Sequence, residues 1–174
     1  MAKLQQFQAK VCLTAAGILL HQGKVLLVKH KKLGIWLNPG GHIEPNELPH
    51  QAAEREFWEE TGVRVEAYTP GLEQAKDESE YLPNPLFTNL HWISKENYQA
   101  RTSNQESKDK VWGKGCEQHL GFLYLVRPIN GQVAFKENRE ETDGIAWFSE
   151  DEIDDLETSE NIRFEVKYAF QLQR

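Results

Sequence analysis

Gly41-His42-Ile43-Glu44-Pro45-Asn46-Glu47-Leu48-Pro49-His50-Gln51-Ala52-Ala53-Glu54-Arg55-Glu56-Phe57-Trp58-Glu59-Glu60-Thr61-Gly62-Val63 is the stretch that decides how this chain folds. Pro49 suits a first helical position, where its missing N–H would have no intrahelical partner anyway. Gly62 suits the position just past a helix end, where a left-handed backbone is cheap only without a Cβ. The stretch therefore predicts a helix over 49–61, although Leu48 is a poor N-cap and tertiary contacts must hold that end. At about 100° per residue, Glu56, Glu59 and Glu60 share an arc of roughly 100°. Like charges three and four apart cost a helix ~0.2–0.5 kcal/mol per pair unless a cation sits between them.

A Glu-rich helix is ordinarily a solvated acidic face, but three neighbours here favour a ligand. Ala52 and Ala53 flank the face and leave room for an approaching group, although Ala is also simply a good helix former. Arg55 stands one turn before Glu59, where it can orient that carboxylate. Pro39-Gly40-Gly41 places permissive backbone just upstream, able to aim carbonyl oxygens at a cation. Hard divalent ions, magnesium or manganese, take oxygen ligands of this kind together with water and phosphate oxygens.

Outward from this helix, strand-like runs fall at 15–20, 25–30, 63–68, 86–93, 119–127 and 145–148. Ser149-Glu150-Asp151-Glu152 has the pattern of a capping box and predicts a second helix through Ile153 and Leu156. Ile162, Val166, Ala169 and Phe170 then recur at helical spacing, giving a C-terminal helix with a core face. Strands are too interspersed for a bundle and helices too few for a regular barrel, so the fold class is α/β. Two stretches carry no clear element: 72–85, acidic and proline-rich at its end, and 94–118, almost wholly polar apart from Tyr98, Val111 and Trp112. Loops this long in a compact domain are functional or disordered.

The 174 residues suit one domain of ordinary size, and 39% hydrophobic with 27% charged residues is a globular composition. Twenty basic against 27 acidic residues give a formal charge of −7, the wrong sign for counterion-driven binding of duplex nucleic acid. Six glutamates and one arginine between Glu44 and Glu60 put −5 of that charge beside one helix. The apolar run 11–20 is followed by a short turn and more strand rather than a cleavage site, so a reducing cytoplasm is the expected compartment. Nothing approaches the ~20 apolar residues of a membrane span. Cys12 and Cys116 form no disulfide framework, and neither they nor the six histidines show zinc-ligand spacing. Lys29, Lys31 and Lys32 could meet a phosphate but read more simply as a solvated turn. P-loop and Rossmann glycine patterns are missing.

The spacing Gly41, five residues, Glu47, seven residues, Arg55-Glu56-Phe57-x-Glu59-Glu60-x-Gly62-Val63 resembles the signature of the Nudix hydrolases, with every fixed position filled. Phe57 is the one mild departure, since that family prefers an aliphatic residue there. The signature covers 23 of 174 residues, and the order of strands and helix around it extends the likeness over most of the chain. The resemblance implies a single α/β/α sandwich over 1–174 with a mixed central sheet and a polar insertion at about 94–118. It implies hydrolysis, with magnesium or manganese, of a nucleoside diphosphate linked to another group: a nucleotide sugar, a dinucleoside polyphosphate or a nucleoside triphosphate.

Carried over by position, Glu56, Glu59 and Glu60 would be metal ligands and Gly41 would add its carbonyl. Glu47 would support the cluster and Arg55 would orient a glutamate. A further carboxylate is expected from the loop 136–144, with Glu141 first and Glu140 in reserve; the proton acceptor would be Glu56 or that loop glutamate. Trp112 is the expected base-stacking residue. Tyr81, eighteen residues past Val63, weakly suggests dinucleoside polyphosphates, while Glu78 stands where a proline would point to ADP-ribose. The partner is a nucleotide, with neither duplex nucleic acid nor a membrane, and the chain would act as a monomer or homodimer. The competing reading is a Nudix-fold sensor that binds a nucleotide without cleaving it, but such a descendant has no chemical need for all three helix glutamates.

Overall fold

The computed structural model describes residues 8–71, 81–109, 111–112, 115–136, 138, 140 and 142–174. Its strands are β1 (Val11–His21), β2 (Lys24–His30), β3 (Trp36–Leu37), β4 (Gly40–His42), β5 (Val65–Ala67), β6 (Phe87–Trp92), β7 (Gln118–Pro128) and β8 (Thr142–Ser149). Helices α1 (Pro49–Thr61), α2 (Lys95–Thr102) and α3 (Glu160–Leu172) fall between and after them. The sheet runs β3-β2-β1-β7-β5, with β4 also on β1, β6 on β7 and β8 on β2. β1 and β7 are parallel, from Val11 opposite Gln118 to Leu19 opposite Val126, and the other pairings are antiparallel. The sheet is therefore mixed.

Alternation along β1 and β7 explains the sandwich. Ala15 and Leu19, with Tyr124 and Val126, pack on Ala52, Ala53 and Phe57 of α1. The intervening residues Ile18 and Leu20, with Leu123 and Leu125, pack on Val166, Ala169 and Phe170 of α3. Both faces of these central strands are covered, so they read as nearly continuous apolar runs. Phe57 is fully buried, a contribution of about 1.5–3 kcal/mol. The aromatic departure from the family signature is thus a core residue.

Helix α1 has the bounds its sequence predicts. Gly62 closes it with φ 72°, and its N–H donates to the Trp58 carbonyl at 2.7 Å. At the other end the Leu48 N–H donates to Gln51 Oε1 at 3.1 Å, so Gln51 does part of the work a capping residue at 48 would do.

Two expectations differ from the structure. The capping box at Ser149 exists, with Ser149 N and Oγ donating to Glu152 Oε2 at 2.7 and 2.8 Å. It opens only a 3₁₀ turn, Asp151–Ile153. Arg163 reaches back from α3 to donate to the carbonyls of Ile153, Asp154 and Leu156, which satisfies them without a continued helix. Ser159 then caps α3 through the Ile162 N–H at 3.3 Å. The polar stretch 94–118 contains a helix: Ser94 Oγ accepts from Asn97 N at 3.0 Å and starts α2. Arg101 binds the buried Glu117 carboxylate, and Asn97 Nδ2 donates to the Trp112 and Cys116 carbonyls at 2.9 Å. These bonds pin α2 to the start of β7.

Candidate active site

Strand β4 and helix α1 build the site together. β4 pairs with β1, with Gly40 opposite Ala16 and His42 opposite Thr14, and this lays the glycine backbone across the C-terminal half of α1. The Gly40 N–H donates to Glu60 Oε2 at 2.9 Å. A Cβ on Gly41 would sit 2.5 Å from the carboxyl carbon of Glu56 and 2.6 Å from its Oε2. Position 41 must therefore lack a side chain for Glu56 to occupy its place.

Arg55 organises the carboxylates. Its Nε and Nη2 donate to the two oxygens of Glu47 at 2.8 and 3.0 Å, a forked pairing that only a guanidinium supplies. Its Nη1 lies 2.9 Å from Glu56 Oε1 and donates to Glu59 Oε2 at 2.9 Å. Nη2 also donates to the His42 carbonyl at 3.0 Å. One guanidinium thus fixes three glutamates and the end of β4. The hydrogen bonds from Arg55 hold the Glu47 carboxyl below the usual carboxylate range, and the same partners push the Arg55 pKa further up.

Glu47, Glu56 and Glu59 gather on Arg55, with Glu60 on the adjoining Gly40 N–H and only 7% exposed. Such a cluster of hard oxygen donors fits a divalent cation. The loop before β8 is tied to the same helix end. Asn138 Nδ2 donates to the Glu59 carbonyl at 3.3 Å and the Lys136 N–H to the Thr61 carbonyl at 2.7 Å. Glu140 follows in this loop, exposed; Glu141 lies outside the described residues.

The α3-facing side of the sheet carries polar groups that sequence reasoning passed over. His119 is opposite Cys12 on β1 and His91 on β6, so the three share a face. Asn89 Nδ2 donates to Glu165 Oε1 at 2.9 Å, and Asn89 Oδ1 lies 2.9 Å from His91 Nδ1. Burial pushes Glu165 up to about 7 and His119 down to about 4, and lowers His91. Glu165 left one trace in the sequence: it interrupts the apolar stripe of α3 between Ile162 and Val166. The His42 ring, 5.0 Å from that of His119, joins this face to the Arg55 cluster.

Trp112 lies at the edge of the same face, its ring 5.5 Å from His119 and 6.5 Å from His30. Tyr81 is 55% exposed, and among the described residues no hydrogen bond or ring contact joins it to the glutamate cluster. The structure brings Gly41, Glu47, Arg55, Glu56, Glu59 and Glu60 together.

The NUDIX domain family model matches residues 13–169. The chain belongs to the Nudix family. A MutT-like protein of Streptomyces ambofaciens is 41% identical over 54 residues, 30% of this chain and 35% of that protein. Phosphatase NudJ of Escherichia coli K12 is 40% identical over 55 residues, 30% of this chain and 36% of that protein. The likeness to these curated relatives thus spans about a third of their length. Among solved structures, a NUDIX-family hydrolase from Clostridium perfringens superposes with a TM-score of 0.67 at 25% identity, over 93% of this chain and 97% of that one. A NUDIX hydrolase from Nitrosomonas europaea does so with 0.62 at 20% identity, over 95% and 92%, a likeness of fold. Among the described residues no helix is long and apolar enough to cross a membrane.

Proposed function

We propose that this Nudix chain is a divalent-cation-dependent hydrolase. It cleaves the pyrophosphate linkage of a nucleoside diphosphate joined to a further group, whether a sugar, a second nucleotide or another phosphate. The observation that carries this reading is the Arg55 hub. It holds Glu47, Glu56 and Glu59 in fixed positions beside Glu60, which the Gly40 N–H holds in turn. Holding like charges together is unfavourable unless the arrangement serves a cation, and this supports a metal-binding scaffold over a solvated face.

Glu56, Glu59 and Glu60, with the Gly41 carbonyl, would hold magnesium or manganese. When bound, such an ion lowers the pKa of water and offsets charge on the pyrophosphate oxygens. The chain's own residues do the rest. Arg55 keeps Glu56 and Glu59 aimed, Glu47 locks Arg55, and the Gly40 N–H locks Glu60. A carboxylate accepts the proton of the attacking water; the chain offers Glu56 and a loop glutamate, Glu141 or Glu140, for this step. Trp112, flanking the polar sheet face, offers a ring on which a base can stack.

A panel of nucleoside diphosphate derivatives with magnesium tests the proposal, with products resolved by chromatography. Release of a nucleoside monophosphate, or of pyrophosphate from a triphosphate, is the expected outcome. Tight nucleotide binding with no cleavage of any member would replace the enzyme by a sensor.

A further inference from the structure

Cys12, His42 and Cys116 are 30 and 74 residues apart in the chain, yet their ligand atoms all lie within 4.8 Å of one another. Among the described residues this is the group of histidine, cysteine and acidic side chains that converges so closely. The Cys12 and Cys116 sulfurs are 2.8 Å apart, and His42 Nε2 lies 3.3 Å from Cys116 Sγ. The geometry points to a second cation site, distinct from the glutamate cluster, in which the two thiolates and the His42 imidazole hold a zinc-class ion.

Donor chemistry selects the ion. Thiolate sulfur and imidazole nitrogen favour zinc and its soft neighbours, whereas magnesium and manganese favour the oxygens of Glu56, Glu59 and Glu60. Zinc bonds of ~2.3 Å to sulfur and ~2.0 Å to nitrogen in a tetrahedron separate sulfur from nitrogen by about 3.5 Å, close to the 3.3 Å found. Two sulfurs on the same ion stand about 3.8 Å apart, so Cys12 and Cys116 must part by about 1 Å. Cys12 is only partly buried, so its side chain is the one that must turn. Three protein ligands leave one tetrahedral position for water or another ligand. Binding releases the thiol protons to solvent.

Each ligand is fixed by backbone from a separate element. Cys12 lies in β1, paired with His119. The Cys116 carbonyl accepts from Asn97 Nδ2 of α2 at 2.9 Å. His42 ends β4, and its carbonyl accepts from Arg55. A bound ion would therefore clip the 94–118 segment and β1 to the strand on which the Arg55 hub rests. Its buried neighbour His119 keeps Nε2 without a hydrogen-bond partner among the described residues, on the same sheet face as Cys12.

Cobalt(II) substitution tests the site without an activity readout. The full chain, stripped of metal and kept reduced, is titrated with cobalt(II) in excess magnesium, which fills the oxygen site. One equivalent is expected to give the intense near-ultraviolet band of thiolate-to-cobalt charge transfer and the visible bands of a tetrahedral centre, both erased by one equivalent of zinc. Cys12→Ser and Cys116→Ser each remove the charge-transfer intensity of one sulfur, and His42→Ala weakens binding at least tenfold. If either serine variant fails to fold, zinc protection of both thiols from a maleimide in the wild-type chain, read by peptide mass, gives the same answer. A cobalt spectrum without the charge-transfer band, with both thiols shown to be reduced, overturns the site. So does equal alkylation with and without zinc. Neither result touches the pyrophosphohydrolase reading, which rests on other residues.

Discussion

Replacing Glu165 by Gln should stabilise this protein at neutral and alkaline pH and leave it almost unchanged in acid. Glu165 is 6% exposed on α3, and its one hydrogen bond among the described residues comes from Asn89 Nδ2 at 2.9 Å. Burial raises its pKa from 4.5 to about 7. The imidazoles on that face, His91 and His119, are themselves lowered by burial and supply no cation at neutral pH. Between pH 4.5 and 7 the folded chain binds this proton more tightly than the unfolded chain does. The stabilisation is complete below pH 4.5 and is lost as pH rises to 7. A displacement from 4.5 to about 7 corresponds to a loss of about 3 kcal/mol. Glutamine keeps the oxygen that Asn89 bonds and carries no charge to desolvate.

At pH 8 the variant should therefore gain up to about 3 kcal/mol, or a Tm rise of roughly 6–12 °C for a chain of this size. Near pH 4.5 the gain should shrink well below about 1 kcal/mol. Thermal and urea unfolding followed by circular dichroism at the two pH values measures both numbers. Equal stability of the two proteins at pH 8, or the same pH dependence in both, would refute the burial-raised carboxyl of Glu165 on α3.

Three further outcomes concern the glutamate cluster. Glu60→Gln should lower turnover at least tens-fold with the fold intact, since losses around metal ligands cost 10- to 100-fold; near wild-type turnover in a magnesium assay contradicts its role. Gly41→Ala should push the Glu56 carboxylate aside, because the new methyl would stand 2.5 Å from its carbon. A fall in kcat of about 100-fold is expected from such a displacement, with the thermal transition read alongside to exclude unfolding. Arg55→Lys keeps the charge but cannot fork onto Glu47 and also reach Glu59 and the His42 carbonyl. Its magnesium dependence should shift to at least tenfold higher concentrations, as isothermal titration would show.

What the sequence determined by itself was whatever short-range chemistry specifies. Pro49 and Gly62 bounded α1 correctly because caps act within a few residues, and helical periodicity placed Glu56, Glu59 and Glu60 on one face. The long strands announced themselves as apolar runs because both faces of the central sheet are covered. The Nudix signature was legible for the same reason, its spacing being that of one loop and one helix.

Only the tertiary structure decided the rest. β3 and β4, two and three residues long, exist because β2 and β1 offer them partners. The Ser149 box became a single turn because Arg163, arriving from α3, took the carbonyls that a longer helix would have used. The Gly40 and His42 contacts to α1, the acid under α3, and the meeting of Cys12, His42 and Cys116 each join segments far apart in the chain. Cys12 and Cys116 show no ligand spacing in sequence because the sheet, pairing β1 with β7, supplies their proximity. Local dihedral preferences and caps can be read along the chain, whereas the register that brings remote side chains together is set by which strands share hydrogen bonds.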